Sequence, residues 1–194
     1  MRPGVLNHGY KPGTKVLFAM IRLFSGRPLP DAAKLTFYRR DFYGGPAGHL
    51  TQLALRGPSQ WSVGDRELMA AVVSRANGCS FCVGAHTATA ELAYADRGRV
   101  RAVLADLATA PIEEGLRATL RLLDVLTRDG SVSVGDMRTV LAAGVSRERI
   151  EDALAVAAAF NITNRLADAF AFATLDPSGY AAGARFLLRR GYGK

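Results

Sequence analysis

Residues 62–90, SVGDRELMAAVVSRANGCSFCVGAHTATA, decide how the rest of the chain is read. Ser62 is a favourable helix N-cap, and Asp65 stands three residues on, where a capping box places its acidic partner. From Gly64 to Ala76 the apolar residues keep helical spacing, and Asn77-Gly78 supplies the stop. A second helix starts at Cys79 or Ser80 and reaches about Ala95. The stretch therefore predicts a helix pair over 62–96 with both cysteines of the protein at the start of its second arm.

Outward from that pair the same signals recur. Helices are predicted near Thr14–Phe24, from an Asp31 cap to about Tyr43, over about Ala47–Arg56, and over 99–108, 113–128, 136–143, 147–160, 162–174 and 178–190. Gly44-Gly45-Pro46, Gly57-Pro58, Pro111, Gly130, Gly144 and Pro177-Ser178-Gly179 separate them. No alternating β-branched run competes, so the fold class is all-α. Residues 1–30 hold four of the eight prolines and read as an N-terminal arm, a subunit contact or loose tail, ahead of a helical domain over 31–194. A shift of 84 residues lays Ser62 on Ser146, Glu67 on Glu151 and Asn77 on Asn161. It suggests a degenerate helix-pair repeat over 146–175 that kept packing and lost its cysteines.

Composition narrows the class. A chain of 194 residues, 49% apolar and 22% charged, builds one ordinary core and is neither disordered nor a disulfide scaffold. The net charge of +8 comes from 21 Arg and 4 Lys spread along the whole length, which fits a solvated surface better than a polyanion site. A helix–turn–helix reading of 133–160 founders on Glu148, Glu151 and Asp152 followed by the apolar run Ala153–Phe160, so no nucleic acid is expected. That run is also the longest apolar one, far below the about 20 residues of a membrane span. Val16–Ile21, after Lys11 and Lys15, ends at Arg22 and is too short for a secretion signal, so a cytoplasmic protein is expected.

The chemistry gathers in Cys79-Ser80-Phe81-Cys82 and His86. In a reducing compartment a Cys-x-x-Cys pair points to redox or metal chemistry. With the helix starting at Cys79, the three side chains fall at i, i+3 and i+7 along one face, where the helix N-terminus favours a thiolate and the imidazole can move its proton. Two other readings stay open: buried inert thiols, and zinc on Cys79, Cys82 and His86 with Glu67 as the evident fourth ligand. The interleaved Phe37, Tyr38, Phe42 and Tyr43 read as a core or subunit face, and His49 after its glycines lacks the ending of a phosphate loop.

Glu67, then eleven residues, then Cys79-x-x-Cys82-x-x-x-His86 within ELMAAVVSRANGCSFCVGAHTATA resembles the signature of the AhpD-like alkylhydroperoxidases of the carboxymuconolactone decarboxylase superfamily. HLTQLALRGPS (49–59) and FNITNRLADAFAFA (160–173) extend the resemblance over about 45–175, the latter looking like a segment of the peroxidase-related members. It implies an AhpD-like multi-helix bundle acting as a thiol peroxidase. In it Cys82 attacks the peroxide, Cys79 protonates the leaving group and closes a Cys79–Cys82 disulfide, and Glu67 and His86 relay protons. No cofactor or metal is implied. The partners would be an organic hydroperoxide or hydrogen peroxide, a dithiol reductant such as a lipoylated protein, and further copies of the chain in a trimer, hexamer or dimer-based ring. Those copies would wall off a dithiol read here as exposed. Phe81 departs from the pattern, because well-described members carry a histidine there. The alternatives are a redox sensor without turnover and a DNA-binding regulator with a helix–turn–helix-like C-terminal half.

Overall fold

A computed structural model describes residues 4–193. The chain is all-α: α1 (Val5–His8), α2 (Pro12–Ser25), α3 (Asp31–Tyr38), one π turn (Arg40–Gly44), α4 (Gly45–Arg56), α5 (Val63–Ala76), α6 (Ser80–Tyr94), α7 (Arg97–Ala105), α8 (Glu114–Asp129), α9 (Val134–Ala142), α10 (Arg147–Ala169) and α11 (Pro177–Arg190). Among the described residues no helix is long and apolar enough to cross a membrane.

The hairpin α5–α6 is the centre. Helix α5 begins with the expected capping box, in which Asp65 N–H donates to Ser62 Oγ at 3.0 Å and Ser62 N–H to Asp65 Oδ2 at 3.0 Å. Every residue from Arg66 to Ser74 is buried, so α5 has no solvent face, as a helix surrounded by others requires. It packs on α6, α10, α8 and α4, while α11 lies along the other side of α6. Helix α8 turns Leu116, Leu120 and Leu123 inward at helical spacing, and α10 contributes Ile150, Ala153, Val156, Ala157 and Phe160 to the same core. Burying each such large side chain stabilises the fold by about 1.5–3 kcal/mol. Trp61, just before the Ser62 cap, is 2% exposed, donates its indole N–H to Arg149 O at 2.7 Å and lies under that guanidinium, pinning the start of α5 to α10.

Three boundaries differ from the sequence reading. Asp31 does not cap α3: Pro30 occupies the cap position, and the Asp31 carboxylate instead accepts the Ala173 N–H at 2.9 Å and pairs with Lys34. The helix expected to run to Tyr43 ends at Tyr38, and a π turn links it to α4 through the Gly44-Gly45 step. The two helices expected over 147–160 and 162–174 are one, Arg147–Ala169. Asn161-Ile162-Thr163 does not break it, because Thr163 returns its hydroxyl to Ala159 O at 2.8 Å and Asn161 accepts from Asn77 at 2.9 Å across the bundle. In the N-terminal arm the helix expected near Thr14–Phe24 is α2, which buries no side chain, and the short α1 precedes it.

Helix α11 meets α6 at Gly84, where an added Cβ would stand 2.7 Å from Tyr180 Cε2. Alanine favours a helix by about 1 kcal/mol over glycine, whereas overpacking costs about 1–3 kcal/mol. Gly84→Ala is expected to lower the thermal unfolding midpoint, the overlap outweighing the propensity gain.

Candidate active site

The four residues singled out from the sequence come together as two pairs. Cys79 is the N-cap of α6 and Cys82 lies in its first turn, both 2% exposed and both free thiols. The exposure expected for the dithiol is not found. Phe81 and Ala167 share the cluster with the cysteines, and Ala32 of α3 together with Phe172 and Leu175 of the segment after α10 pack over it. The Asp31–Ala173 hydrogen bond and the Arg27 contacts to Asp176 and Ser178 tie that segment to the N-terminal arm. One chain therefore walls in its own cysteines.

The two sulfurs are not equivalent. The neighbouring Cys82 side chain holds the Cys79 thiol below its ordinary range. Burial opposes the shift, while the backbone N–H groups of Cys82 and Phe81 add to it. Cys82 is pushed far up, first by the Cys79 side chain and then by burial. The exposed carboxylate of Asp168 raises both. A pocket of about 280 Å³ opens on Cys79 and is lined also by Phe81, Asp168, Phe172 and Thr174; Cys82 is not on its wall. Phe81 and Phe172 meet edge to face at 5.4 Å, with Tyr180 tilted behind Phe81 at 6.2 Å.

The second pair is Glu67 with His86. Glu67, on the central helix α5, is 0% exposed, and its Oε2 stands 2.7 Å from His86 Nδ1. Its Oε1 accepts from Arg56 Nη2 at 2.6 Å. The Tyr192 hydroxyl lies 2.8 Å from Oε1 and 3.1 Å from Oε2. Burial acts to raise the Glu67 carboxyl, but the hydrogen bond and charge of His86, then Arg56, outweigh it and hold Glu67 below the usual glutamate range. The His86 ring packs edge on against Phe160 at 4.3 Å and stacks near Tyr192. Among the described residues no hydrogen bond joins His86 to either sulfur, and no group of three or more His, Cys, Asp or Glu side chains is gathered that would hold a metal ion.

Arg56 and Tyr192 escaped the sequence reading. Arg56 stands at the end of HLTQLALRGPS, beside a Gly-Pro break, and looks like an ordinary C-terminal helix charge. The only signal for Tyr192 is its place between two glycines after α11, a pattern that reads as a tail.

An all-α fold with a buried dithiol at a helix N-terminus, served by a carboxylate on the neighbouring helix, defines a class of thiol-bearing helical proteins. Residues 41–125 match the Carboxymuconolactone decarboxylase family, which includes enzymes, and the chain has the all-α fold of AhpD-like proteins. No curated protein matches it. Among solved structures it is similar to an uncharacterized peroxidase-related protein from Silicibacter sp. TM1040, at 24% identity over 93% of each chain with TM-score 0.74. It is similar too to an alkylhydroperoxidase AhpD core protein, also peroxidase-related, from Ralstonia eutropha JMP134, at 20% identity over 91% of each chain with TM-score 0.73. The debrominase Bmp8, held as a cysteine-to-alanine variant with 2,3,4-tribromopyrrole, shares 16% identity over 89% of this chain and 91% of its own, with TM-score 0.71.

A carboxylate held below its unfolded value adds stability above the ordinary glutamate range, about pH 4.3, and that stability is lost as the pH falls through the lowered folded value. Glu67→Gln is expected to remove this acid sensitivity. By leaving the Arg56 guanidinium without its counter-charge it should also cost about 3–5 kcal/mol in chemical denaturation at neutral pH.

Proposed function

We propose that the protein is a dithiol peroxidase: it reduces a hydroperoxide by two electrons while Cys79 and Cys82 become a disulfide. The observation that supports this reading best is the pair of buried free thiols packed together at the start of α6, with Cys79 on a pocket wall. Cys79 is the sulfur favoured as first nucleophile, since it faces the pocket and is held toward thiolate. This reverses the order implied by the family resemblance. The thiolate attacks one peroxide oxygen, the S–O bond forms as the O–O bond breaks, and Cys82, still a thiol, gives its proton to the departing alkoxide. The Cys82 thiolate then displaces hydroxide from the Cys79 sulfenic acid to close the disulfide, and the hydroxide takes up the proton released when the Cys79 thiolate formed. His86, one turn beyond Cys82, with Glu67 behind it, is assigned the proton traffic of Cys82. Phe81, in place of a histidine, gives the pocket an apolar wall and moves no proton, which favours an organic hydroperoxide over hydrogen peroxide. A dithiol such as a lipoylated protein returns the electrons. The apolar exposed stripe Val16, Leu17, Met20, Leu23 and Phe24 of α2 supports self-association as part of this reading.

A second reading is supported by the aromatic wall that Phe81 and Phe172 form beside Cys79, on which an apolar ring can rest. The same dithiol would remove bromine from an aromatic substrate, a chemistry named for Bmp8. The thiolate takes the halogen, the ring carbon takes a proton, and Cys82 displaces bromide to give the disulfide.

Stopped-flow oxidation of the reduced protein tests both. Organic hydroperoxide is expected to be consumed without bromide chemistry, and both Cys79→Ser and Cys82→Ser should abolish turnover. Cys82→Ser should still form one sulfenic acid, trapped at Cys79 by dimedone, whereas Cys79→Ser should form none. Trapping only in Cys79→Ser would return the attack to Cys82. Failure of hydroperoxide to oxidise the wild-type thiols, with bromide release and disulfide formation on a brominated pyrrole, would install the second reading.

A further inference from the structure

Past the end of α11 the chain folds back onto the body. Gly191 turns it at φ 73°, ψ −160°, a region open to glycine alone, and a Cβ there would run into the Gln52 side chain. Tyr192 N–H then donates to Gln52 Oε1 at 2.7 Å. Gly193 lies against Gly48, whose carbonyl carbon would be 2.9 Å from any added Cβ, so tail and α4 meet backbone to backbone. These contacts hold the Tyr192 ring under the Arg56 guanidinium, 5.0 Å from its centroid, and aim a desolvated hydroxyl at both oxygens of Glu67.

We propose that Tyr192 is a positioning residue for the Glu67–His86 pair and that the C-terminal tail is the clasp that delivers it. A phenol with one proton to donate completes the donor set of a buried carboxylate that Arg56 alone leaves partly unsatisfied. The carboxylate so fixed holds the His86 ring through Nδ1 and turns its Nε2 edge away from Glu67. The charges facing Glu67 are Arg56 from α4 and His86 from α6, with the Tyr192 phenol from the tail. On its own helix Arg66 turns to the carbonyls of Ala54 and Gly57. From α10, Asp152 bonds Ser59 and acts on Arg66, while Phe160 meets His86; α8 turns its leucine stripe inward. The consequence for turnover rests on the dithiol reading; the effect on Glu67 does not.

The test uses the full chain with Tyr192→Phe, which keeps the ring and removes the donor. The Glu67 carboxyl is followed by 13C NMR across acid pH, beside the pH profile of hydroperoxide turnover. The Glu67 midpoint is expected to rise by about one pH unit. The acid limb of kcat should move by the same amount while KM stays put. Gln52→Ala, which loosens the tail without touching the hydroxyl, should shift the midpoint the same way by less, and it decides the matter where Tyr192→Phe does not fold. An unchanged midpoint in folded variants overturns the clasp. A shifted midpoint in a protein that turns over no peroxide leaves the clasp standing and removes the peroxidase reading alone.

Discussion

A carboxylate with no exposure to water, at the middle of the central helix, is the most demanding group in this protein. Burying an unpaired anion costs several kcal/mol, so Glu67 has to be met from every side, and the elements that meet it are arranged around that need. Helix α4 brings Arg56, α6 brings His86, and the C-terminal tail brings Tyr192. The result is a charged cluster that binds three segments distant in sequence to α5. Remove the anion and the cluster leaves a buried guanidinium uncompensated; keep it, and the imidazole next to the cysteine-bearing turn has a fixed orientation.

The cysteine pair answers to a different constraint. Its sulfurs are buried on all but one side, and the two thiols have opposite tendencies, Cys79 toward thiolate and Cys82 toward thiol. Each side chain acts on the other, so the pair titrates as one unit. The cover over this unit comes from α3 and the segment after α10, joined by Asp31 and Arg27, so the N-terminal arm shapes the approach to the dithiol although it contains none of its atoms. Phe81 and Phe172 then give the approach an aromatic wall on which a flat or apolar substrate can rest.

Helix caps and breaks are local, and for that reason they were legible. Ser62 with Asp65, Asn77-Gly78 and Pro177 mark helix ends through bonds made within a few residues, and the hairpin that carries Glu67, Cys79, Cys82 and His86 follows from them. Where a local signal was overruled, a distant partner was responsible. Asp31 left its capping role for the Ala173 amide, and Asn161 stayed helical while bonding Asn77. The sequence by itself determined the all-α class and the central helix pair, because periodicity and spacing are properties of the chain. Only the tertiary structure decided that Glu67 would face Arg56 and Tyr192, that the cysteines would be buried, and that Cys79 would own the pocket. Those facts depend on segments more than a hundred residues apart, Tyr192 meeting Glu67 and Asp31 meeting Ala173, and no local pattern encodes such meetings.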